Sequence, residues 1–272
     1  MPQPWGGNLF AGGRSAEPFI RALEGHHLSA VGVARQESRT TLVIGSAADF
    51  SLAALRTGHS SDPIESETRV VSEELRELLR DFDSVDLILP FGRIPATDFQ
   101  AAAERAGMAR RSRHGLLIHP VFGLWWSLRL IVELNLEQPE HDAMLEALSR
   151  SPILQVAQSG QTPARACDHC ATVHCIAVCP AMSNLLAERI ASARTRGGSL
   201  RATSVLGSER NSIDLRACAR HVAGGGCSEI CLARAACPEA PDRAYPLEVH
   251  KHHHGEFRRV CTAYSLDTLK GQ

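Results

Sequence analysis

No cysteine occurs in the first 166 of 272 residues, and the whole chain has only two tyrosines, Tyr245 and Tyr264. The first absence excludes disulfides and thiolate metal sites from the amino-terminal half. The second leaves almost no phenol to act as a proton donor. Neither sign of charge is in surplus: 29 Lys and Arg oppose 30 Asp and Glu, for a net charge of -1. A dominant basic face for nucleic acid is therefore not expected. Long apolar runs are missing too. The longest, around Leu116 to Leu130, is broken by His119, Ser127 and Arg129. It falls short of the roughly 18 residues that a membrane span needs. The opening residues carry no basic stretch before an apolar one and no twin-arginine pair, so no export signal is read and a cytoplasmic protein is expected.

What is present suits a folded chain, with 44% hydrophobic and 22% charged residues. At about 150 residues per domain the length suggests one large or two modest domains. Residues 1–20, rich in Gly and Pro, read as an extended arm. Short buried strands are expected at Leu28 to Ala34, Thr41 to Gly45 and Val85 to Leu89. Helices are expected at Ala47 to Arg56, Val70 to Phe82 and Asp98 to Met108, with a polar loop at 59–67. Leu116 to Ile118 and Leu124 to Leu136 read as further strands. A helix and then a linker occupy 138–161. The pattern predicts an α+β or layered α/β domain over 21–160, a second domain over 161–245, and a tail over 246–272.

The second domain holds the chemistry. Eight of the nine cysteines fall between Cys167 and Cys237, and Cys261 stands apart. The first group, Cys167, Cys170, Cys175 and Cys179-Pro180, has the order of a bacterial two-cluster run, with a middle gap of four residues instead of two. The second group is Cys218, Cys227, Cys231 and Cys237-Pro238. Closely spaced thiolates on a tight loop surround one cubane, and a Cys followed by Pro leaves that loop to serve the neighbouring cluster. Two [4Fe–4S] clusters are the expected cofactors. Paired zinc knuckles, with His169, His174 or His221 assisting, are the alternative. Disulfides are disfavoured in a reducing compartment.

A second signal lies in Ala106-Gly107, Arg113-His114-Gly115-Leu116-Leu117-Ile118, Pro120, Phe122-Gly123 and Arg129. This stretch resembles the segment of corrinoid-dependent reductive dehalogenases and epoxyqueuosine reductases that carries an "AGLG" step and a "GLLI-P-FG" core. The cysteine groups follow it in the order the family uses. The resemblance implies a nitroreductase-like α/β corrinoid-binding domain followed by a two-[4Fe–4S] ferredoxin-like domain. It implies cobalamin as a second cofactor, held along Arg113, His114, Gly115, Leu116, Leu117, Pro120, Phe122 and Gly123. It also implies one cluster on Cys167, Cys170, Cys175 and Cys237, and the other on Cys218, Cys227, Cys231 and Cys179.

The implied activity is a reductase. It passes electrons from a ferredoxin- or flavodoxin-type donor to a corrinoid, for reduction of a small molecule or of the corrinoid itself. A non-enzymatic electron carrier and a zinc-stabilised binding protein are the competing readings. The chain departs from the family at its proton donor. Where epoxyqueuosine reductases carry "D-S-A-P", this sequence reads Gly92-Arg93-Ile94-Pro95, and the nearest acid is Asp98. Asp98 is the candidate general acid, or else a helix N-terminal charge. His26-His27 reads as a metal ligand or a polar pair at a helix end. The run His250 to Glu256 (HKHHHGE) reads as an exposed loop in preference to a transition-metal site, and one of Trp125 and Trp126 reads as core in preference to a stacking surface for a macrocycle.

Overall fold

The computed structural model describes residues 16–57, 60–80, 82, 84–90, 97–112 and 115–158, then 175, 178–179, 218, 221–222, 224, 227, 231–237, 241–253 and 255. The described residues divide into two units. The first draws on Met1–Arg110, His119–Val121 and Trp126–Pro163. The second draws on Arg111–Ile118, Phe122–Trp125 and Ala164–Gln272. The units are therefore not consecutive lengths of chain. The stretch that carries the "GLLI-P-FG" residues is shared between them.

The first unit is a mixed α/β fold. Its element order is α1 (Glu17–Gly25), β1 (Ala30–Gln36), β2 (Arg39–Ser46), α2 (Ala48–Thr57), α3 (Pro63–Leu78), β3 (Val85–Ile88) and α4 (Phe99–Arg105). The two-residue strands β4 (Arg110–Arg111) and β5 (Leu117–Ile118) pair with each other, and β5 belongs to the second unit. Then come β6 (Ser127–Asn135), α5 (Gln138–Arg150) and β7 (Gln155–Gln158). The main sheet has the order β3-β6-β2-β1-β7. Its pairings are antiparallel except for β1 with β7, which is parallel, so the sheet is mixed.

Alternation along the strands sorts side chains onto two faces. Val31 and Val33, Leu42 and Ile44, and Leu130 and Val132 line up across β1, β2 and β6 by register. Together with Leu23 of α1, Leu75 of α3 and Leu148 of α5 they form one buried core. The opposite face is cut away at Gly32. A Cβ there would lie 2.8 Å from the Ala106 Cβ and 2.9 Å from the Met108 Cβ, just past the end of α4. A bulge between Ile44 and Gly45 bends β2, and a Cβ on Gly45 would lie 3.0 Å from the Trp126 ring.

Three elements differ from the sequence expectation. Helix α1 begins at Glu17, inside the stretch read as an arm; Pro18 in its first turn suits a helix start. Helix α3 begins at Pro63, inside the expected loop, because Asp62 caps it by accepting the Glu65 N–H at 2.9 Å. Strand β7 lies in the stretch read as a linker. No helix among the described residues is long and apolar enough to cross a membrane.

His26 ties α1 to α3. Its Nδ1 lies 2.8 Å from Glu67 Oε1 and its Nε2 lies 2.8 Å from Glu74 Oε2. Two carboxylate partners require both ring nitrogens to donate, which is the imidazolium form. Burial alone lowers an imidazole pKa, but the bonds to Glu74 and Glu67 outweigh it and hold His26 above its ordinary value of 6.5. The pair at the helix end is thus a structural one for His26.

Two predictions follow from this packing. Gly32→Ala forces methyl against methyl, and is expected to destabilise by about 1–3 kcal/mol; an unchanged thermal melt would contradict the close approach of β1 and the end of α4. For His26, the raised pKa makes its stabilisation complete below about pH 6.5 and lost as pH rises through the folded-state value. Melting temperature is expected to fall more steeply from about pH 6.5 upward in the native protein than in His26→Gln. Parallel profiles for the two proteins would contradict the bridge.

Candidate functional site

The "GLLI" segment is built on a tight reversal. Ser112 N–H donates to the Leu116 carbonyl at 2.7 Å, and Gly115 N–H donates to the Ser112 carbonyl at 3.0 Å. Gly115 has φ 87°, a left-handed conformation that a side chain would strain. Gly123 repeats the device at φ 57°, where Phe122 accepts the Trp125 N–H at 2.9 Å. These two glycines therefore serve turns in this chain.

The segment so folded joins the cysteine module. In the second unit Ile118, Leu124 and Cys237 form one buried cluster, with Leu116 packed against it. Cys175 and Cys179 are buried as well, while Cys218, Cys227 and Cys231 are half-buried. Cys231 and Cys237 lie at the two ends of a short helix, α6 (Leu232–Ala235). The Cys231 carbonyl accepts the Ala235 N–H at 2.9 Å, and the Arg234 carbonyl accepts the Cys237 N–H at 3.3 Å. Cys227 has φ 49°, an uncommon conformation for a residue with a side chain, at a place where the chain must turn sharply.

Arg234 rises from α6 into an aromatic box. Its guanidinium carbon is 5.9 Å from the Trp125 ring centre and 5.6 Å from that of Tyr245. Trp125 meets Tyr245 edge-on at 5.8 Å and His250 at 5.1 Å, and His253 stacks on Tyr245 at 5.5 Å. The His250 stretch is thus not the exposed loop read from sequence. It is helical over 247–253, and His250 is buried because its ring packs on Trp125.

Buried polar atoms test whether these residues suit an inorganic cluster. Among the described residues, Trp125 Nε1, Arg234 Nε and His221 Nε2 are buried with no hydrogen-bond partner. Indole and guanidinium nitrogens only donate. Leaving such a donor unmet costs about 1–3 kcal/mol. All three residues stand in the cysteine module or on the segment packed against it. Sulfide or thiolate sulfur is one acceptor of the kind the indole and guanidinium lack. Among the described residues no group of three or more His, Cys, Asp or Glu is gathered as a metal site. Cys167 and Cys170 lie outside the described residues, as do Arg113 and His114.

Leu117 and Phe122 are buried, Leu116 is half-buried, and Pro120 is exposed. Asp98 is the N-cap of α4, its carboxylate accepting the Ala101 N–H at 2.9 Å. Arg129 is buried in the first unit, donating to the hydroxyls of Ser46 at 2.8 Å and Ser51 at 2.9 Å beneath Phe50. His119 is buried beside Trp126, with ring centres 5.2 Å apart. Burial pushes its pKa down to about 4, and its Nδ1 accepts the Val121 N–H at 3.1 Å, so it is a neutral ring. Arg234 and Tyr245 were not singled out as site residues from the sequence. The one available hint was a basic residue inside the short Cys231–Cys237 spacing.

No protein-family model matches the chain. No curated protein matches it either. Among solved structures, a C. elegans B12-trafficking protein, CblC, described as a homologue of human MMACHC, is similar over 44% of this chain and 68% of its own. The identity is 13% and the TM-score 0.36, a likeness that assigns neither ligand nor activity.

Proposed function

We propose that the protein is an iron–sulfur reductase that passes low-potential electrons through two [4Fe–4S] clusters to a corrinoid. The observation that carries this reading is the packing of Leu116, Ile118 and Leu124 onto Cys237. It joins the corrinoid-type sequence segment to a cysteine of the cluster-type motif within one unit. Bound clusters would relay single electrons, and a bound corrinoid would supply the reducing cobalt.

The chain's own residues do the rest. Deprotonated cysteines would hold the clusters, Cys167, Cys170, Cys175 and Cys237 for one and Cys179, Cys218, Cys227 and Cys231 for the other. Ile118 and Leu124 keep water from Cys237. The Gly115 turn fixes the backbone of Leu116 and Leu117 at the mouth of the segment. Electrons would come from a ferredoxin- or flavodoxin-type donor.

Asp98 bears on the object of the reduction. Its carboxylate is engaged in capping α4, which favours reduction of the corrinoid itself over a small-molecule reduction that needs a protein acid. Asp98→Asn is expected to retain activity, and to lose at most about 1 kcal/mol of stability, the usual scale of a cap. Loss of turnover with the fold intact would restore Asp98 as an acid.

Cobalamin binding separates the reductase from an electron carrier. Protein reconstituted with iron and sulfide without oxygen is expected to carry cobalamin through gel filtration, with a base-off spectrum. Failure to retain it at micromolar concentration would favour the carrier. Cys237→Ala should remove about half of the iron and of the visible absorption, one cluster of two. An unaltered spectrum would refute Cys237 as a ligand.

A further inference from the structure

We propose that the aromatic box around Arg234 is a binding site for an oxyanion, the phosphate or carboxylate group of a small molecule, held by the Arg234 guanidinium and the Trp125 Nε1–H. All of its residues belong to the second unit. The site goes beyond the reductase reading and needs neither a cluster nor a corrinoid.

The geometry is a triangle. The Arg234 Cζ lies 5.9 Å from the Trp125 ring centre and 5.6 Å from that of Tyr245, and the two rings are 5.8 Å apart. The guanidinium therefore sits over the junction of the two rings. Trp125 is 3% exposed and Tyr245 4%, so the walls are dry. Among the described residues, Trp125 Nε1 and Arg234 Nε have no hydrogen-bond partner, and both atoms only donate. Ring faces are second-order acceptors. No carboxylate among the described residues pairs with the guanidinium: Asp242 is taken by Arg243 at 3.6 Å, and Glu248 is exposed to solvent. His250 against Trp125 and His253 against Tyr245 bring no negative charge.

An acceptor that carries negative charge answers both deficits at once. A guanidinium grips a carboxylate or phosphate with two parallel N–H···O bonds, and such charge-assisted bonds are about twice as strong as neutral ones. Nε–H with one terminal N–H supplies that fork on Arg234. The indole N–H is a further donor, and because it accepts nothing it favours an anion over a ligand that itself donates. Walls that exclude water strengthen the attraction of the anion to the guanidinium.

The test is isothermal titration calorimetry of the full-length protein with sodium phosphate and, separately, sodium acetate, at constant ionic strength. A saturable one-site heat is expected with at least one of them. Phosphate binding the tighter marks a phosphate-bearing ligand, and acetate binding the tighter a carboxylate-bearing one; either supports the site. Trp125→Phe keeps a ring and deletes one donor, and is expected to weaken binding about tenfold. Arg234→Gln deletes the fork and the charge, and is expected to abolish saturation. Arg234→Lys keeps the charge without the fork; it should fall between, and it serves if Arg234→Gln folds poorly. No saturable heat with either anion, or binding that neither Trp125→Phe nor an Arg234 variant weakens, would overturn the site and leave the cluster reading standing. Binding retained by protein that holds zinc and no iron would uphold the site and end the cluster reading.

Discussion

The arrangement depends on one buried contact, the packing of Ile118 and Leu124 around Cys237. A cysteine sulfur in such surroundings is shielded from water, and electrostatic interactions near it are correspondingly strong. The contact brings together residues more than a hundred positions apart in the sequence. It also explains why residues 111–118 and 122–125 group with the second unit and not with the sheet-bearing first. Chain continuity alone would keep them with β6, which follows at once.

Polar side chains in the first unit are engaged in holding it together. His26 bridges two carboxylates of α3. Arg129 is satisfied in part by two serine hydroxyls and faces the Phe50 ring. Asp62 and Asp98 cap helices. By contrast, among the described residues Trp125 Nε1, Arg234 Nε and His221 Nε2 of the second unit are buried without a hydrogen-bond partner. Native structures rarely leave such groups unmet.

Much of the sheet was readable because its strands are short apolar runs rich in β-branched residues, as in Thr41 to Gly45 and Val85 to Leu89. The Asp98 cap and the helix after it were readable from local chemistry. Helix α1 was hidden by the Gly- and Pro-rich residues before it. The start of α3 was missed although Asp62-Pro63 with Glu65 is an ordinary helix opening. Strand β7, four half-buried residues with polar ends, offers little pattern; its parallel pairing with β1 defines it. At the site, the cysteine spacing was the signal that the sequence offered. The box of Arg234, Tyr245 and His250 around Trp125 did not, because it depends on three-dimensional proximity between residues of ordinary type. The His250 run reads as polar in sequence, yet the helix over 247–253 turns one of its imidazoles onto an indole.

The central claim is that the cysteines of the second unit hold iron–sulfur cubanes beside the "GLLI" segment. Mössbauer spectroscopy of protein purified without oxygen from cells grown on iron-57 addresses it most directly. The account predicts that the bound iron appears as valence-delocalised cubanes, in an amount matching two clusters for each chain. Iron seen only as isolated tetrahedral ions, or a protein that carries zinc in its place, would contradict it.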